Sequence, residues 1–238
     1  NRQLNTLPLY LNQASKPIFH LISHAMGECR EQVIEKYIRV LELLKIINSI
    51  GSSRILCFIF KMKKVIIYID GSNFYFSVNK TFNCKIDIGK FCKKLAEKDH
   101  LLEIKYYIAP VEQLNNPKMY AQQQSFFDKL RKIKNFKIIL GRLEKRKQDG
   151  KIYFVEKATD VNLALDLVLD AQANIYDEAF LVSNDGDFSG AVNAVVGRFR
   201  KQITYVAVGN NKTISYHLKK VANRTKKIDK NFIEDIKL

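Results

Sequence analysis

The feature that most constrains the fold is a regular alternation of short apolar strands and amphipathic helices after residue 62. The sequence predicts strands at 65–69, 104–109, 136–140, 179–183 and 203–208, and helices at 88–98, 117–132, 160–173, 188–198 and 215–221. Apolar strands that alternate with helices are typical of a parallel sheet covered on both faces. We therefore expect an α/β fold.

One segment interrupts this alternation. Residues 143–157 are basic, with Gln148, Asp149 and Gly150 as a turn and a short strand at 152–155. This pattern predicts a hairpin inserted into the domain.

The first 61 residues have a different pattern. Residues 28–48 have helical periodicity, and the apolar side of this helix carries Ile34, Tyr37, Ile38, Leu41, Leu44 and Ile47. Two interpretations stay open for residues 1–61: a helical accessory that docks or forms a homodimer, or upstream sequence foreign to the functional domain. The functional domain is predicted to span residues 62–238.

The chain is strongly basic, with a formal net charge of +16 and a pI near 9.6. Such a charge attracts polyanions, nucleic acid before anionic membranes, although it can also serve solubility alone. No apolar run approaches the roughly 20 residues that span a bilayer, so we expect no membrane insertion. Aromatic residues lie among the basic ones, most of them expected in the core and one or two able to stack on bases. They include Phe126, Phe127, Phe136, Tyr153 and Phe154.

The cysteines give no metal-binding or disulfide pattern. Cys29, Cys57, Cys84 and Cys92 form no CxxC pair, and no histidine has zinc-finger spacing. Reduced structural thiols in a cytoplasmic protein are the expectation.

Three aspartate motifs follow or begin predicted elements. The first, I-D-G-S-N at residues 69–73, puts Asp70 at the carboxyl end of a central strand, where open α/β sheets build their sites. Asn73 adds an amide that can orient a carboxylate or a water. A plain Asp-Gly turn is the alternative interpretation.

The second motif, K-A-T-D-V-N at residues 157–162, opens a helix. At 100° per residue, Asp160 shares a face with Ala164, Leu167 and Ala171, which we expect to be buried. The opposite, polar side carries Asn162, Asp166 and Asp170. A carboxylate on the buried side must be paired, bound to metal or used as a helix N-cap.

The third motif, S-N-D-G-D-F at residues 183–188, follows a predicted strand. Asp187 is positioned to cap the helix that starts near Phe188, which would leave Asp185 free to face the cleft.

Carboxylates gathered at one edge of a sheet need a cation. Two of them about 4 Å apart repel by roughly 4 kcal/mol at an effective dielectric of 20. Oxygen ligands suit Mg²⁺ or Mn²⁺, which activate water and neutralise charge on a phosphodiester. Lys157 and Ser183 could hold a phosphate or orient a carboxylate.

The order of the three motifs over residues 63–210 resembles the NYN family, the LabA-like branch of the PIN-like nucleases. The resemblance implies a PIN-like three-layer α/β/α domain with a central, mainly parallel sheet, and a Mg²⁺- or Mn²⁺-dependent ribonuclease acting on RNA. It implies Asp70, Asp160 and Asp185 as metal ligands and Asn73 as an orienting residue. Asp187 and Asp166 would contact the metal or support its ligands. The second motif often reads K-G-x-D in the family, whereas this chain has Ala158 in place of the glycine.

Three functions compete at this point. This chain retains all the acids expected of a metal-dependent endoribonuclease. A non-catalytic RNA-binding module would tolerate their loss. A phosphatase of the aspartyl-phosphate type needs a second aspartate two residues after the first, where this chain has Ser72.

Overall fold

The computed structural model describes residues 62–148, 151–210 and 213–238. The helix predicted at 28–48, and the homodimer contact expected from it, lie outside the described residues. So do residues 149 and 150 of the predicted turn.

The described residues form eight strands and seven α-helices. The strands are β1 (Lys64–Asp70), β2 (His100–Ile108), β3 (Phe136–Leu140), β4 (Arg142–Gln148), β5 (Lys151–Lys157), β6 (Glu178–Val182), β7 (Gln202–Val208) and β8 (Arg224–Ile228). The helices are α1 (Gly71–Phe82), α2 (Ile88–Ala96), α3 (Pro117–Arg131), α4 (Thr159–Gln172), α5 (Ser189–Arg198), α6 (Tyr216–Val221) and α7 (Lys230–Glu234), and a 3₁₀ turn spans Gly186–Phe188.

Six strands form one sheet in the order β3-β2-β1-β6-β7-β8, and every neighbouring pair is parallel. The predicted parallel α/β sheet is therefore confirmed. β1 lies between β2 and β6, and its residues from Val65 to Asp70 are all buried. Because all six strands run the same way, their carboxyl ends share one edge. The order in which strands are added to the sheet reverses between β1 and β6.

Helices cover both faces of this sheet, which confirms the three-layer arrangement. On one face, Val65, Ile67 and Ile69 of β1 pack with side chains from α1, α2, α3 and α7. On the other face, Ile66 and Tyr68 pack with side chains from α4, α5 and α6. The alternation of side chains along β1 thus supplies both cores.

The predicted hairpin is present as a separate two-stranded antiparallel sheet of β4 and β5. Arg142 pairs with Lys157 at its base and Gln148 with Lys151 near its tip. It is longer than predicted, because the charged residues of β4 also adopt the strand conformation.

Helix α1 was not predicted from the sequence. Asp70 has extended backbone angles and its side chain accepts the Asn73 N–H, so the Asp-Gly pair begins a helix as its N-cap and first residue instead of forming a plain turn. The buried Phe74 and Val78 then give the helix an apolar side.

The last strand and helix, β8 and α7, were also missed. β8 is an edge strand with the sequence R-T-K-K-I, mostly exposed, and such a charged edge is a common protection against unwanted pairing. None of the helices in the described part of the chain is long and apolar enough to cross a bilayer.

Candidate active site at the carboxyl edge of the sheet

Asp70 is the most buried acid of this edge, with 8% of its surface exposed. Its Oδ1 accepts the Asn73 backbone N–H at 3.1 Å, and its Oδ2 accepts the Ser183 hydroxyl at 2.9 Å. Burial raises the pKa of Asp70 to about 6, against the opposing effect of these two hydrogen bonds, and the charges of Asp160 and Glu156 raise it further.

The residue after Asp70 must be small. A Cβ on Gly71 would lie 2.6 Å from the ring of Tyr106, so glycine lets this ring pack against the start of α1.

Ser183 links the first motif to the third. Its hydroxyl is buried, donates to Asp70 and accepts the Asp185 backbone N–H at 3.1 Å. The Asp185 side chain in turn accepts the Asp187 backbone N–H at 2.9 Å and so caps the 3₁₀ turn. The expectation that Asp187 is the cap and Asp185 is free was therefore wrong. Asp185 supplies the cap because the 3₁₀ turn starts earlier than the predicted helix, and Asp187 is exposed.

Asn73 and Asn184 hold the loop after β6. The Asn73 side-chain oxygen accepts the Asn184 backbone N–H at 3.0 Å. Asn184 donates to the Val208 carbonyl at 2.6 Å and accepts the Tyr205 hydroxyl at 2.7 Å. This loop is thus tied to the ends of β1 and β7, and Asn184, which sequence reasoning passed over, is a central part of the connection.

Asp160 lies in the first turn of α4 and is exposed, so its predicted place on the buried face was wrong. The buried row of α4 is Thr159, Leu163, Leu167 and Ala171. The helical periodicity predicted the wrong side because apolar residues also lie on the exposed side, at Val161, Leu165 and Leu169. The pKa of Asp160 is raised by partial burial and then by the charges of Asp185, Glu156 and Asp187.

Glu156 is an acid of this edge that sequence reasoning missed. It lies on β5, where its Oε2 accepts the Ser72 hydroxyl at 2.7 Å and its Oε1 accepts the Ala109 backbone N–H at 3.0 Å. Its charge acts on both Asp70 and Asp160. Its position immediately before the K-A-T-D motif was the only sequence signal, and the hairpin register was needed to direct it inward.

Ala158 joins the hairpin to α4 with φ of 71°, in the left-handed region. Such a conformation costs a non-glycine residue roughly 1–2 kcal/mol. The glycine of the family pattern therefore matches a backbone requirement that this chain meets under strain. Lys157, beside it, is half-buried opposite Arg142 at the base of the hairpin.

Asp166 and Asp170 are turned toward the sheet, so the polar side predicted for them was wrong. Asp166 accepts the Tyr107 hydroxyl at 2.7 Å, and Asp170 lies 2.6 Å from the Lys105 ammonium. Both residues flank the buried row of α4, from which their side chains reach polar atoms of β1 and β2. Asp166 thus takes part in a polar network between α4 and the sheet.

The residues of this edge suit a divalent cation by their chemistry. Carboxylate oxygens are the preferred ligands of Mg²⁺ and Mn²⁺. Burial first, and then the charges of neighbouring acids, raise the pKa of Asp70 and Asp160, and a bound cation would favour the ionised form of both. In the described residues, no three His, Cys, Asp or Glu side chains stand at the spacing of a formed coordination sphere. Binding would therefore require side-chain movement, for which the exposed Asp160 and Asp187 have room.

Comparison with known proteins places this geometry in a family. A crystal structure of a protein of unknown function from Vibrio parahaemolyticus has a TM-score of 0.58 and 26% identity, covering 75% of this chain and 98% of that one. A structure from Parabacteroides merdae has a TM-score of 0.27 and 10% identity over 70% of this chain and 31% of that one. This similarity is too low to indicate a common fold. No curated protein matches the chain. The model of the NYN domain matches residues 64–229, and the chain therefore belongs to the NYN domain family, part of the PIN-like nuclease superfamily.

Proposed function

We propose that this protein is a metal-dependent endoribonuclease that hydrolyses phosphodiester bonds in RNA. The observation that carries the proposal is the convergence of acids from separate elements on one edge: Asp70 at the end of β1, Glu156 on β5, Asp160 on α4 and Asp185 after β6. The nuclease superfamily and the net charge of +16 support a nucleic acid as the substrate.

Mg²⁺ or Mn²⁺ would be held by Asp70, Asp160 and Asp185, and would supply an activated water and charge neutralisation at the phosphate. Ser183 orients two of these ligands by its bonds to Asp70 and to the backbone of Asp185. Asn73 fixes the loop that carries Asp185, because it accepts the N–H of the preceding residue.

Two further side chains complete the proposed site. Asp187 is exposed, and its charge adds to the effect of burial in raising the pKa of Asp160, so the two acids lie near each other. In this proposal the Asp187 carboxylate accepts a proton from the attacking water. Lys157, at the base of the hairpin, supplies a positive charge for the substrate phosphate.

Three finer assignments belong to this proposal. The order of the three motifs supports the LabA-like branch. The described cysteines, Cys84 and Cys92, are free thiols, which supports a reducing cytoplasmic compartment. A homodimer through residues 28–48 stays a prediction that sedimentation of the full chain would test.

The deciding experiment is cleavage of a labelled circular RNA, because only an endonuclease can open a circle. We expect linear product with Mn²⁺ and none with EDTA or with Asp160→Asn. The matched control is Asp128→Asn, which removes one exposed carboxylate from α3, where it pairs with Arg131. This control should cleave at the wild-type rate.

Two other results would contradict the proposal. Equal cleavage by Asp160→Asn and the wild type would show that the acidic edge is not the site. Tight RNA binding without cleavage, under any divalent ion, would favour the alternative of a non-catalytic RNA-binding module.

A further inference from the structure

The hairpin of β4 and β5 is largely exposed. Within the part of the chain that the structure describes, its strands pair with each other and belong to no larger sheet. Ile152, Tyr153 and Phe154 are 55%, 40% and 38% exposed. An isolated ribbon of this kind is marginally stable in water, and adjacent exposed apolar side chains commonly mark a binding surface.

The register of the hairpin decides which side chains share a face. Glu156, Phe154 and Ile152 alternate along one face of β5, with Tyr153 and Val155 on the other. Across the pair, Phe154 lies opposite Lys145, and Ile152 lies opposite Lys147. One face therefore carries an aromatic ring, an aliphatic side chain and two lysines.

That same face is the one that reaches the acidic edge. Glu156, at its base, accepts hydrogen bonds from Ser72 and from the Ala109 backbone N–H and acts on Asp70 and Asp160. Phe154 and Lys145 come next along this face, farther from the acids. A ligand lying along the face would thus pass from the lysines and the ring to the carboxylates.

Exposed aromatic rings also lie on α1, close in sequence to the residue that donates to Glu156. Ser72, its hydrogen-bond donor, shares the outer face of α1 with Tyr75 and Phe76, which are 58% and 67% exposed and stack edge to face. Both elements that Glu156 joins, the hairpin and α1, thus carry exposed rings.

The chemistry of this face suits single strands. Phosphates pair with lysines in any nucleic acid, but a flat ring can stack only on a base whose face is free. The bases of a duplex are covered by their neighbours, whereas a single strand offers them.

We propose that this face of the hairpin, carrying Phe154, Ile152, Lys145 and Lys147, binds single-stranded RNA and guides it to the acidic edge. Phe154 stacks on an unpaired base, and the lysines contact the flanking phosphates. The choice of RNA as the partner rests on the proposed function, whereas the preference for a single strand rests on the hairpin itself.

The experiment measures binding of a fluorescent single-stranded RNA by anisotropy in EDTA, where metal-dependent cleavage is excluded. We expect Phe154→Ala to raise the Kd about ten-fold, in line with the loss of one stacked base. Phe154→Tyr, which keeps the ring, should restore binding to within two-fold of wild type. The double variant Lys145→Gln/Lys147→Gln should flatten the slope of log K against log salt by about 1.4.

The chain offers a matched control in Tyr153→Ala. Tyr153 is adjacent in sequence and almost equally exposed, but it lies on the opposite face, paired with Arg146. We expect this variant to bind RNA like the wild type. Equal loss in both alanine variants, or loss in neither, would overturn the proposal.

Two further ligands test the partner. Duplex RNA of the same sequence should bind without any effect of Phe154→Ala, and an equal effect on duplex and single strand would overturn the stacking role. Single-stranded DNA should bind more weakly than RNA in the wild type, and tighter binding of DNA would overturn the choice of RNA.

Failure of this proposal and failure of the proposed function give different results. If the wild type cleaves circular RNA but Phe154→Ala binds normally, the hairpin assignment fails and the nuclease stands. If Phe154→Ala loses RNA binding but the wild type does not cleave circular RNA with Mn²⁺, the hairpin assignment stands and the nuclease fails.

Discussion

Asp70 shows how one residue can lower stability at the place where function is expected. Its carboxylate is almost fully buried beside other acids, and two hydrogen bonds only partly offset the burial. A shift of its pKa from 3.8 to about 6 corresponds to about 3 kcal/mol against the ionised form in the metal-free fold. A bound cation would remove much of this penalty, which links the stability of the fold to the occupancy of the site.

This residue predicts an unusual pH dependence. Between pH 3.8 and about 6 the folded chain holds the Asp70 proton more tightly than the unfolded chain does. The contribution of Asp70 to the free energy of unfolding therefore falls as pH rises through this window. We expect Asp70→Asn to raise the free energy of unfolding by about 1–2 kcal/mol at pH 7.5 in EDTA, allowing for weaker hydrogen bonds to the amide.

Urea denaturation at pH 7.5 and at pH 4 checks this prediction, because the gain should nearly vanish at the lower pH. Asp187→Asn, which changes an exposed acid of the same edge, is the control and should leave stability unchanged. A less stable Asp70→Asn protein at pH 7.5 would contradict the argument.

At the scale of elements, helix α4 is held to the sheet by charge as well as by apolar packing. Lys105 of β2, with a side chain 7% exposed, lies 2.6 Å from Asp170, 3.5 Å from Asp166 and 3.7 Å from Glu103. The Tyr68 hydroxyl also donates to Asp170 at 2.5 Å. Burial alone would lower the pKa of Lys105, but Asp170 and then the other two acids hold it above its usual value.

We expect Asp170→Asn to lower the free energy of unfolding by about 2–3 kcal/mol, because the amide keeps an acceptor oxygen but removes the negative charge closest to a buried ammonium. The matched variant Asp166→Asn should cost less than about 1 kcal/mol, since that side chain is 36% exposed and its ion pair is longer. Thermal and urea melts of both variants test the order. A larger loss in Asp166→Asn than in Asp170→Asn would show that the network is centred elsewhere.

At the scale of the whole molecule, the net charge of +16 favours the binding of polyanions, such as the RNA of the proposed function. Exposed lysines and arginines act on a polyanion over about 10 Å at 0.1 M salt, so they raise the rate of encounter and bind without sequence preference. The hairpin would then position a strand that this general attraction has already brought to the surface.

We expect RNA binding to weaken steeply with salt. About five phosphate contacts, at roughly 0.7 ions released per contact on a single strand, give a slope near −3.5 and a roughly 100-fold loss of affinity between 50 and 200 mM salt. Anisotropy titrations across that range measure it, with melting temperatures at each salt concentration as the control for unfolding. A slope flatter than about −1 would mean that charge is not what draws the protein to RNA.

Local patterns in the sequence determined most of the fold. Apolar strands such as 65–69 and 203–208 and the helices between them could be predicted, because burial on both faces of a parallel sheet leaves a continuous apolar run. The carboxyl ends of the strands predicted at 65–69 and 179–183 also placed Asp70 and Asp185 together, since all carboxyl ends of a parallel sheet share one edge. Helix α1 was not predicted because its start, Asp-Gly, indicates a turn as well as a capped helix.

Only the tertiary structure decided which side chains face one another. Glu156 joins the acidic edge through the register of a hairpin, and register depends on pairing between strands that no local pattern specifies. The orientation of α4, with Asp160 exposed and Asp170 against Lys105, was decided by packing on the sheet. Periodicity can identify a buried side only when a helix has a single apolar side, and α4 is apolar on more than one.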